Sequence, residues 1–301
     1  MRRHAIAIAF LSAFVLAGCA TPHETVRVPL PVTQTAVAHV DSPAGADDNL
    51  NAVLWVQASA EYDAAALSAY HAAAARLDAA LADPSWDALA PGERDDAGVL
   101  ATLPPAVILD VDETVLDNSP YQARLLRDGK AYDEFTWAQW VKEEAARPVP
   151  GALEFARAAA ARGVTVYYVT NRAEDLTAAT VSNLRKAGFP IQDDAQVLGL
   201  GLVVDGCESE GSEKGCRRQW VGRTHRVLMQ FGDQVGDFVT VVANNAAGRE
   251  QAVRPYLGWI GERWFVLPNP TYGSWEPALF NNSWAKPEAE RRQDKLDALR
   301  Y

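Results

Sequence analysis

The sequence is poor in the residues that thiolate and imidazole metal sites require. It has 3 cysteines and 5 histidines among 301 residues. Carboxylate and carbonyl oxygens are therefore the main groups on offer for a metal, and these favour hard cations. Basic residues are also scarce, with 28 Lys and Arg against 39 Asp and Glu. A chain this acidic lacks the electrostatic surface of a nucleic-acid polymer binder, so we expect no such partner.

A membrane-spanning run is also missing at the start of the chain. The apolar stretch of residues 5–16 is too short to cross a bilayer as a helix. Two arginines precede it and small residues follow, which is the layout of an export signal. Its end, "LAGC", resembles the lipobox of bacterial lipoproteins, in which the cysteine, here Cys19, is acylated. An ordinary secretory signal is the alternative.

We therefore predict a signal peptide over 1–18 and a lipid-anchored tether over 19–48, which is rich in Pro, Thr, Val and Asp. Ala20, directly after the cysteine, resembles the residue found in lipoproteins sorted to the outer membrane. The expected location is the bacterial outer membrane, facing either the periplasm or the surface. The membrane is then one expected partner, through the anchor.

The two remaining cysteines, Cys207 and Cys216, lie nine residues apart in "CESEGSEKGC". In an exported protein this spacing favours a disulfide over two free thiols. A metal site is the weaker alternative, because two thiols without a nearby histidine form half of a tetrahedral shell.

Hydrophobic patterning after residue 49 indicates an α/β fold. An alanine-rich segment over 49–83 predicts one or two helices. Apolar strands then alternate with helices, and the predicted strands cover 106–110, 164–170, 197–204, 226–233 and 263–269. This alternation predicts a mostly parallel sheet with helices on both faces. In such a sheet, ligands bind at the carboxyl ends of the strands.

Acidic residues follow two of these predicted strands. Asp110 and Asp112 end the strand in "AVILDVDET", and Asp233 and Asp237 follow the strand in "MQFGDQVGD". If the two pairs converge, their repulsion requires a cation, and oxygen ligands favour Mg²⁺. One aspartate could then attack a phosphate, and a protonated carboxyl two residues later could protonate the leaving oxygen. Thr170, at another strand end, and Lys214 supply a hydroxyl and a cation for phosphate oxygens.

These motifs together resemble the haloacid dehalogenase-like (HAD) superfamily of phosphatases. The stretches "DVDETVLDNSPYQ", "YVTNR", "FGDQVGDF" and "LPNPTYGSWE" are similar to those of the class C non-specific acid phosphatases, which include bacterial outer-membrane lipoprotein 5′-nucleotidases. The resemblance covers roughly residues 49–282. It implies a HAD-like Rossmannoid domain over 49–301 with a smaller helical cap, which we expect around 49–83 and 118–148. The implied substrates are small phosphomonoesters, with nucleoside 5′-monophosphates expected among them.

The resemblance also implies roles for individual residues, most of them within the quoted motifs. It makes Asp110 the nucleophile, Asp112 the general acid and base, and Thr170, Asn171 and Lys214 the phosphate-binding residues. A Mg²⁺ ion would be held by Asp110, the Asp112 carbonyl and Asp233, with Asp237 close by. An aromatic clamp on the substrate would fall on Trp137 and Tyr272.

One residue departs from the family pattern, since Glu213 precedes Lys214 where we expect aspartate. We hypothesise that a Cys207–Cys216 disulfide would pre-position Lys214 by closing its loop. An acidic pH optimum is also predicted, because Asp112 must carry a proton to act as an acid.

Three other interpretations are compatible with the sequence. A dehalogenase on the same fold would not need Asp112. A non-catalytic surface lipoprotein would be expected to have lost Asp110, which is present. Phosphotransfer to an alcohol would use the same residues as hydrolysis. If the protein forms a homodimer, the alanine-rich N-terminal helices are the surface we expect it to use.

Overall fold

The structure, a computed structural model, describes residues 48–95, 98, 100–208 and 211–301. The predicted signal peptide, the lipidation site Cys19 and the tether up to residue 47 lie outside this part of the chain. The α-helices within it are α1 (Leu50–Ala58), α2 (Ala60–Ala82), α3 (Ser119–Asp128), α4 (Glu134–Glu143), α5 (Ala152–Ala161), α6 (Thr177–Ala187), α7 (Gly215–Thr224), α8 (Ala246–Val253) and α9 (Glu288–Asp297). The strands are β1 (Pro105–Leu109), β2 (Leu116–Asp117), β3 (Arg147–Pro148), β4 (Thr165–Ala173), β5 (Val197–Leu200), β6 (Arg226–Gly232) and β7 (Trp264–Val266).

Five of these strands form one parallel sheet in the order β5-β4-β1-β6-β7. Strands β2 and β3 form a separate antiparallel pair. Since parallel strands need crossover connections, helices lie between successive strands of the sheet, and the predicted α/β fold class is confirmed.

The central strand β1 explains why the sheet is covered on both faces. Val107 and Leu109 belong to one buried cluster, whereas Ala106 and Ile108 belong to a second. Successive side chains of a strand point to opposite faces, so an unbroken apolar strand requires packing on both sides. Strand β6 is buried along its whole length for the same reason.

Helix α2 packs against the sheet with a stripe of buried side chains at helical spacing. It contacts α5, β6 and β7, and the stripe consists of Tyr62, Ala66, Tyr70, Ala73, Leu77 and Ala80. Ser59 caps the helix by accepting a hydrogen bond from the Tyr62 N–H at 3.1 Å. Most of α2 is thus part of the main core, while the predicted domain and cap boundaries stay predictions.

None of the helices in the described residues has the length and apolarity needed to cross a membrane.

Some elements were not anticipated by the hydrophobic pattern. Helix α7 buries Arg217 and Arg218, so it has no apolar stripe by which a sequence pattern could identify it. Helix α8 was likewise not predicted, whereas α3 lies within the segment 118–148 that was predicted as part of a helical cap. Strands β5 and β7 end four and three residues before the predicted limits of 204 and 269. The elements that carry the acidic motifs were predicted to within a residue.

Candidate active site

Three neighbouring strands bring the predicted site residues to one edge of the sheet. Asp110 directly follows β1, Thr170 lies near the end of β4, and Asp233 directly follows β6. The Asp110 N–H donates to the Phe231 carbonyl at 2.9 Å, which continues the β1–β6 pairing beyond the end of β1. We call residues 110–118, between β1 and α3, the catalytic loop because they contain the predicted nucleophile Asp110. Because β1 lies between β4 and β6 in the sheet, these three residues come from neighbouring strands and meet at the carboxyl edge.

Asp110 is buried and each of its carboxylate oxygens has a partner. Lys214 Nζ lies 2.5 Å from Oδ1, and the Thr114 hydroxyl donates to Oδ2 at 2.9 Å. Burial raises the pKa of Asp110. The positive charge of Lys214 lowers this pKa, whereas the negative charges of Asp237 and Asp112 raise it further. The two hydrogen bonds fix the orientation of the Asp110 carboxylate at the carboxyl edge of the sheet.

Three of the four acidic residues that we predicted to converge do so, and Asp112 is the exception. One carboxylate oxygen from each of Asp110, Asp233 and Asp237 lies within 4.8 Å of the others. Lys214 Nζ also contacts Asp237 Oδ1, at 2.7 Å. Asp233 is anchored through Oδ2, which accepts from Asn269 at 2.8 Å.

This cluster fits a small divalent cation. Burial raises the pKa of Asp233 well above its ordinary value, and the charges of Asp237 and Asp110 add to the effect. Three carboxylates held this close, with Lys214 contacting two of them, leave negative charge that a hard cation would neutralise. Glycine at position 232 is required here, because a Cβ atom would collide with the side chain of Asp237.

The Asp112 carboxyl group faces away from this cluster, towards Arg172. The Arg172 guanidinium is 1% exposed and binds Asp112 Oδ1 through Nε at 3.0 Å and Nη2 at 2.8 Å. Asn118 Nδ2 donates to the same oxygen at 2.9 Å, and the Thr170 hydroxyl lies 3.3 Å from Oδ2. Asp112 is therefore held by three side chains, and its backbone carbonyl remains the group we expect to bind the metal.

The predicted phosphate-binding residues differ in where their side chains lie. Thr170 is buried beside Asp112, and Lys214 is buried between Asp110 and Asp237. Asn171 is exposed instead, and its Oδ1 accepts from Arg217 Nη2 at 2.7 Å. The structure therefore brings Thr170 and Lys214 into the site but directs the Asn171 amide oxygen to Arg217.

Lys214 has a raised pKa although burial by itself would lower it, because Asp110 and Asp237 outweigh the cost of desolvation. Its loop is held from two sides. Arg217 donates to the Glu213 carbonyl at 3.0 Å and also to the Thr170 carbonyl. The predicted disulfide is present, and Cys207–Cys216 closes the segment that carries Lys214.

The two predicted clamp residues contact different parts of the site. Trp137, on α4, lies against Arg172, with the guanidinium carbon 5.6 Å from the ring centroid. It also packs edge-on against Tyr121 at 5.2 Å. Tyr272 is half-buried and donates its hydroxyl hydrogen bond to Glu113. Whether they bind substrate as a clamp stays a prediction.

Several residues of this site were not predicted. Asn118 is fully buried, and its Nδ2 donates to Asp112 as described above. Its Oδ1 accepts hydrogen bonds from the Trp140 indole N–H at 2.8 Å and from Arg172 Nη2 at 3.2 Å. Thr114 and Asn118 both fall inside the quoted motif "DVDETVLDNSPYQ", and Arg172 ends "YVTNR". Their position in those motifs was the available signal. Asn269 in "LPNPTYG" carried a similar signal.

Comparison with known proteins gives a consistent picture. The family model of the HAD superfamily, subfamily IIIB (acid phosphatase), matches residues 19–275. A class C acid phosphatase from Bacillus anthracis with tungstate bound is 33% identical, with a TM-score of 0.71, over 84% of this chain and 97% of that chain. A second structure of class C acid phosphatase from that organism is 32% identical over the same shares, also with a TM-score of 0.71.

Two plant proteins match over a shorter region. "Acid phosphatase 1" of Solanum lycopersicum is 27% identical over 165 residues, which is 55% of this chain and 57% of the relative. "Stem 31 kDa glycoprotein" of Glycine max is 26% identical over 165 residues, which is 55% of this chain and 58% of that protein. The chain thus spans little more than half the length of these two curated relatives.

Proposed function

Because this chain belongs to the HAD superfamily, subfamily IIIB (acid phosphatase), we propose that it is a Mg²⁺-dependent phosphomonoesterase. The reaction would pass through an aspartyl-phosphate on Asp110. The observation that carries this proposal is the buried Asp110 carboxylate, oriented by Lys214 and Thr114 and set within 4.8 Å of the Asp233 and Asp237 oxygens.

In the first half of the reaction, a carboxylate oxygen of Asp110 attacks phosphorus as the bond to the leaving alcohol breaks. The leaving oxygen needs a proton, and Asp112 is the carboxyl two residues away that would supply it. In the second half, Asp112 takes a proton from water, which attacks the aspartyl-phosphate. Inorganic phosphate leaves and Asp110 is restored.

Thr170 and Lys214 are suited to bind the phosphoryl oxygens as charge develops on them. The ammonium of Lys214 is held by two carboxylates, so it is in place before the substrate arrives. Asp110, Asp233, Asp237 and the Asp112 carbonyl would hold the metal. A bound Mg²⁺ would neutralise the repulsion between the Asp110 carboxylate and the anionic phosphate.

The proposed substrates are phosphomonoesters, with nucleoside 5′-monophosphates among them. Trp137 contacts Arg172, which binds Asp112, and Tyr272 contacts Glu113, and both rings could stack on a base or an aryl group. The related class C acid phosphatase from Bacillus anthracis was solved with tungstate, a tetrahedral oxyanion like phosphate. That likeness supports an oxyanion site of the same kind in this chain.

Anchoring to the outer membrane is part of the proposal and rests on the "LAGC" sequence ending at Cys19. We expect the full-length protein to partition into detergent and Cys19→Ala to remain in the aqueous phase. Equal partitioning of the two forms would contradict lipidation at this residue.

The function is tested by phosphate release from AMP and from p-nitrophenyl phosphate. We expect turnover with Mg²⁺, no turnover with EDTA, and recovery when Mg²⁺ is added back. Asp110→Asn should abolish turnover while leaving the circular dichroism spectrum unchanged. Asp128→Asn, which alters an exposed residue of α3, is the matched control and should be fully active.

The covalent intermediate is tested separately by acid quench and mass spectrometry. A phosphoryl adduct on the peptide containing Asp110 is expected in the wild type. Turnover that survives in Asp110→Asn would contradict the assigned nucleophile. Folded protein with Mg²⁺ that releases phosphate from neither substrate would contradict the proposed activity.

A further inference from the structure

Tyr62 has a buried hydroxyl group that the proposed reaction does not use. The residue is 3% exposed, and its Oη has no hydrogen-bond partner in the part of the chain that the structure describes. A buried hydroxyl without a partner costs free energy, so such a group indicates a ligand or water that completes it. Its ring is fixed by α2 and by an edge-on contact with Trp55, at 5.7 Å between ring centroids.

The position of Tyr62 along the catalytic loop follows from its neighbours on the N-terminal helices. Two turns later on the same face of α2, the Tyr70 hydroxyl donates to the Thr114 carbonyl at 2.7 Å. Five residues before Tyr62, Gln57 Nε2 donates to the Ser119 hydroxyl at 3.2 Å. Tyr62 therefore lies alongside residues 114–119, between these two contacts.

Acidic residues are present in the stretch of chain that Tyr62 lies alongside. Burial raises the pKa of Tyr62, and the negative charges of Asp117, Glu113 and Asp233 raise it further, so the phenol stays protonated. Asp117 is half-buried and accepts the Ser119 N–H at 2.8 Å through Oδ1. Both oxygens of Glu113 already accept hydrogen bonds, Oε1 from the Asn118 N–H and Oε2 from Tyr272.

We propose that the Tyr62 hydroxyl and the Asp117 carboxylate bind a hydroxyl group on the alcohol part of the substrate. This inference rests on the proposed phosphomonoesterase function and assigns it a preference for phosphate esters of polyols and sugars. The loop that Tyr62 lies alongside starts at Asp110, so an alcohol bonded to phosphorus at Asp110 would extend towards this helix.

The chemistry of the two groups favours a hydroxyl over other ligands. A substrate hydroxyl can accept the Tyr62 proton and donate its own proton to Asp117, which satisfies both groups at once. An ammonium group can only donate, and would leave the Tyr62 proton without an acceptor. An alkyl chain would bury both groups unpaired.

Three phosphate esters with the same five-carbon chain test the proposal: ribitol 5-phosphate, pentyl phosphate and 5-aminopentyl phosphate. We expect the wild type to prefer the ribitol ester. Tyr62→Phe removes only the oxygen and should lower kcat/KM for ribitol 5-phosphate by about 3- to 10-fold, the range for one lost neutral hydrogen bond. Its kcat/KM for pentyl phosphate should not change.

Tyr168→Phe is the control, because the Tyr168 hydroxyl already has a partner away from residues 114–119, the Pro190 carbonyl at 3.2 Å. It should leave the ratio of the ribitol to the pentyl ester unchanged. Equal effects of Tyr62→Phe on both esters, or no effect on either, would overturn the hydroxyl site. A preference for 5-aminopentyl phosphate that disappears in Tyr62→Phe would replace it with a cation site.

The p-nitrophenyl ester separates this inference from the function on which it rests. If the wild type hydrolyses p-nitrophenyl phosphate but does not distinguish ribitol from pentyl ester, only the hydroxyl site is wrong. If it hydrolyses none of the four esters in the presence of Mg²⁺, the proposed phosphomonoesterase function is wrong as well.

Discussion

At the scale of single residues, the site is organised by cations buried against specific acceptors. Arg172, Lys214 and Arg218 are each 4% exposed or less, and each binds at least one carboxylate. Such pairs contribute little net stability because both groups lose water, but removing one partner leaves a buried charge alone. Arg172 and Lys214 therefore serve to orient Asp112 and Asp110, the proposed catalytic groups, rather than to stabilise the fold.

Arg172 provides a test of that conclusion. Lysine keeps the positive charge but cannot make the two-pronged contact with Asp112. We expect Arg172→Lys to lower kcat on an alkyl phosphate by about 10²-fold, because the proton donor is misplaced. The loss should be much smaller with p-nitrophenyl phosphate, whose leaving group departs without needing a proton. Steady-state kinetics on the two substrates measure the difference.

Arg162→Lys is the matched control for this experiment. Arg162 pairs with Asp78 at 2.8 Å on an exposed surface, so its replacement should leave both rates unchanged. Equal losses on the two substrates in Arg172→Lys would show that Arg172 has a general structural role and does not position the acid.

At the scale of elements, the loop before α7 and helix α2 both deliver side chains to the site from outside the sheet. The loop delivers Lys214, and the disulfide Cys207–Cys216 closes it at the first turn of α7, which contains Cys216. Helix α2 delivers Tyr62 and Tyr70 from its buried face. Neither element is a strand end, so the site depends on how these two pack onto the sheet.

The disulfide should stabilise the protein and support catalysis. The chain-entropy estimate for a loop of this size is about 2.7 kcal/mol. We expect the variant with Cys207→Ser and Cys216→Ser to have a lower Tm and a higher KM for phosphate esters, since Lys214 becomes less well fixed. Differential scanning calorimetry and steady-state kinetics check this. If reductant changes neither Tm nor activity of the wild type, the positioning role is wrong.

Helix α2 should behave as part of the core. Leu77 is 1% exposed, and we expect Leu77→Ala to lower the free energy of unfolding by about 2–5 kcal/mol. Leu54, on α1, is 49% exposed, and Leu54→Ala is the control, with an effect of about 0.5 kcal/mol or less. Urea denaturation measures both. A small effect of Leu77→Ala would indicate that α2 unfolds separately from the sheet.

At the scale of the whole molecule, the balance of charge sets how stability depends on pH. The chain carries a formal net charge of −11 at pH 7. A half-buried histidine of the β4–α7–β6 region adds a specific contribution. His225 packs edge-on against Tyr167 at 5.1 Å, and burial lowers its pKa below the ordinary value of 6.5.

The sign of the His225 effect follows from this lowered pKa. Below about pH 6.5 the unfolded chain binds a proton at His225 that the folded protein does not, so stability is lost as pH falls. We expect the free energy of unfolding to fall less steeply between pH 7.5 and 5.5 in His225→Phe than in the wild type. His71→Asn, at an exposed position on α2, should keep the wild-type slope. Identical slopes in the wild type and His225→Phe would contradict the prediction.

The parts that were predicted and the parts that were missed have different physical origins. Asp110, Asp233 and Lys214 could be identified because the carboxyl ends of parallel strands meet and because their motifs resemble those of a family. The burial of Arg172 against Asp112 and Trp137 could not, because no local pattern indicates which acceptor a buried arginine finds. Asn171 illustrates the same limit, since its partner Arg217 lies 46 residues away.

The amino-acid sequence by itself determined the parallel sheet and the acidic groups at its edge, because strand patterning and strand ends are local properties. Tertiary structure alone decided that Lys214 lies between Asp110 and Asp237, that Arg172 holds Asp112, and that the Tyr62 hydroxyl is buried without a hydrogen-bond partner among the described residues. Each of these contacts joins residues more than 20 positions apart. Such pairings arise only from the packing of helices on the sheet, which excludes water and so makes the choice of partner for each buried polar group decisive.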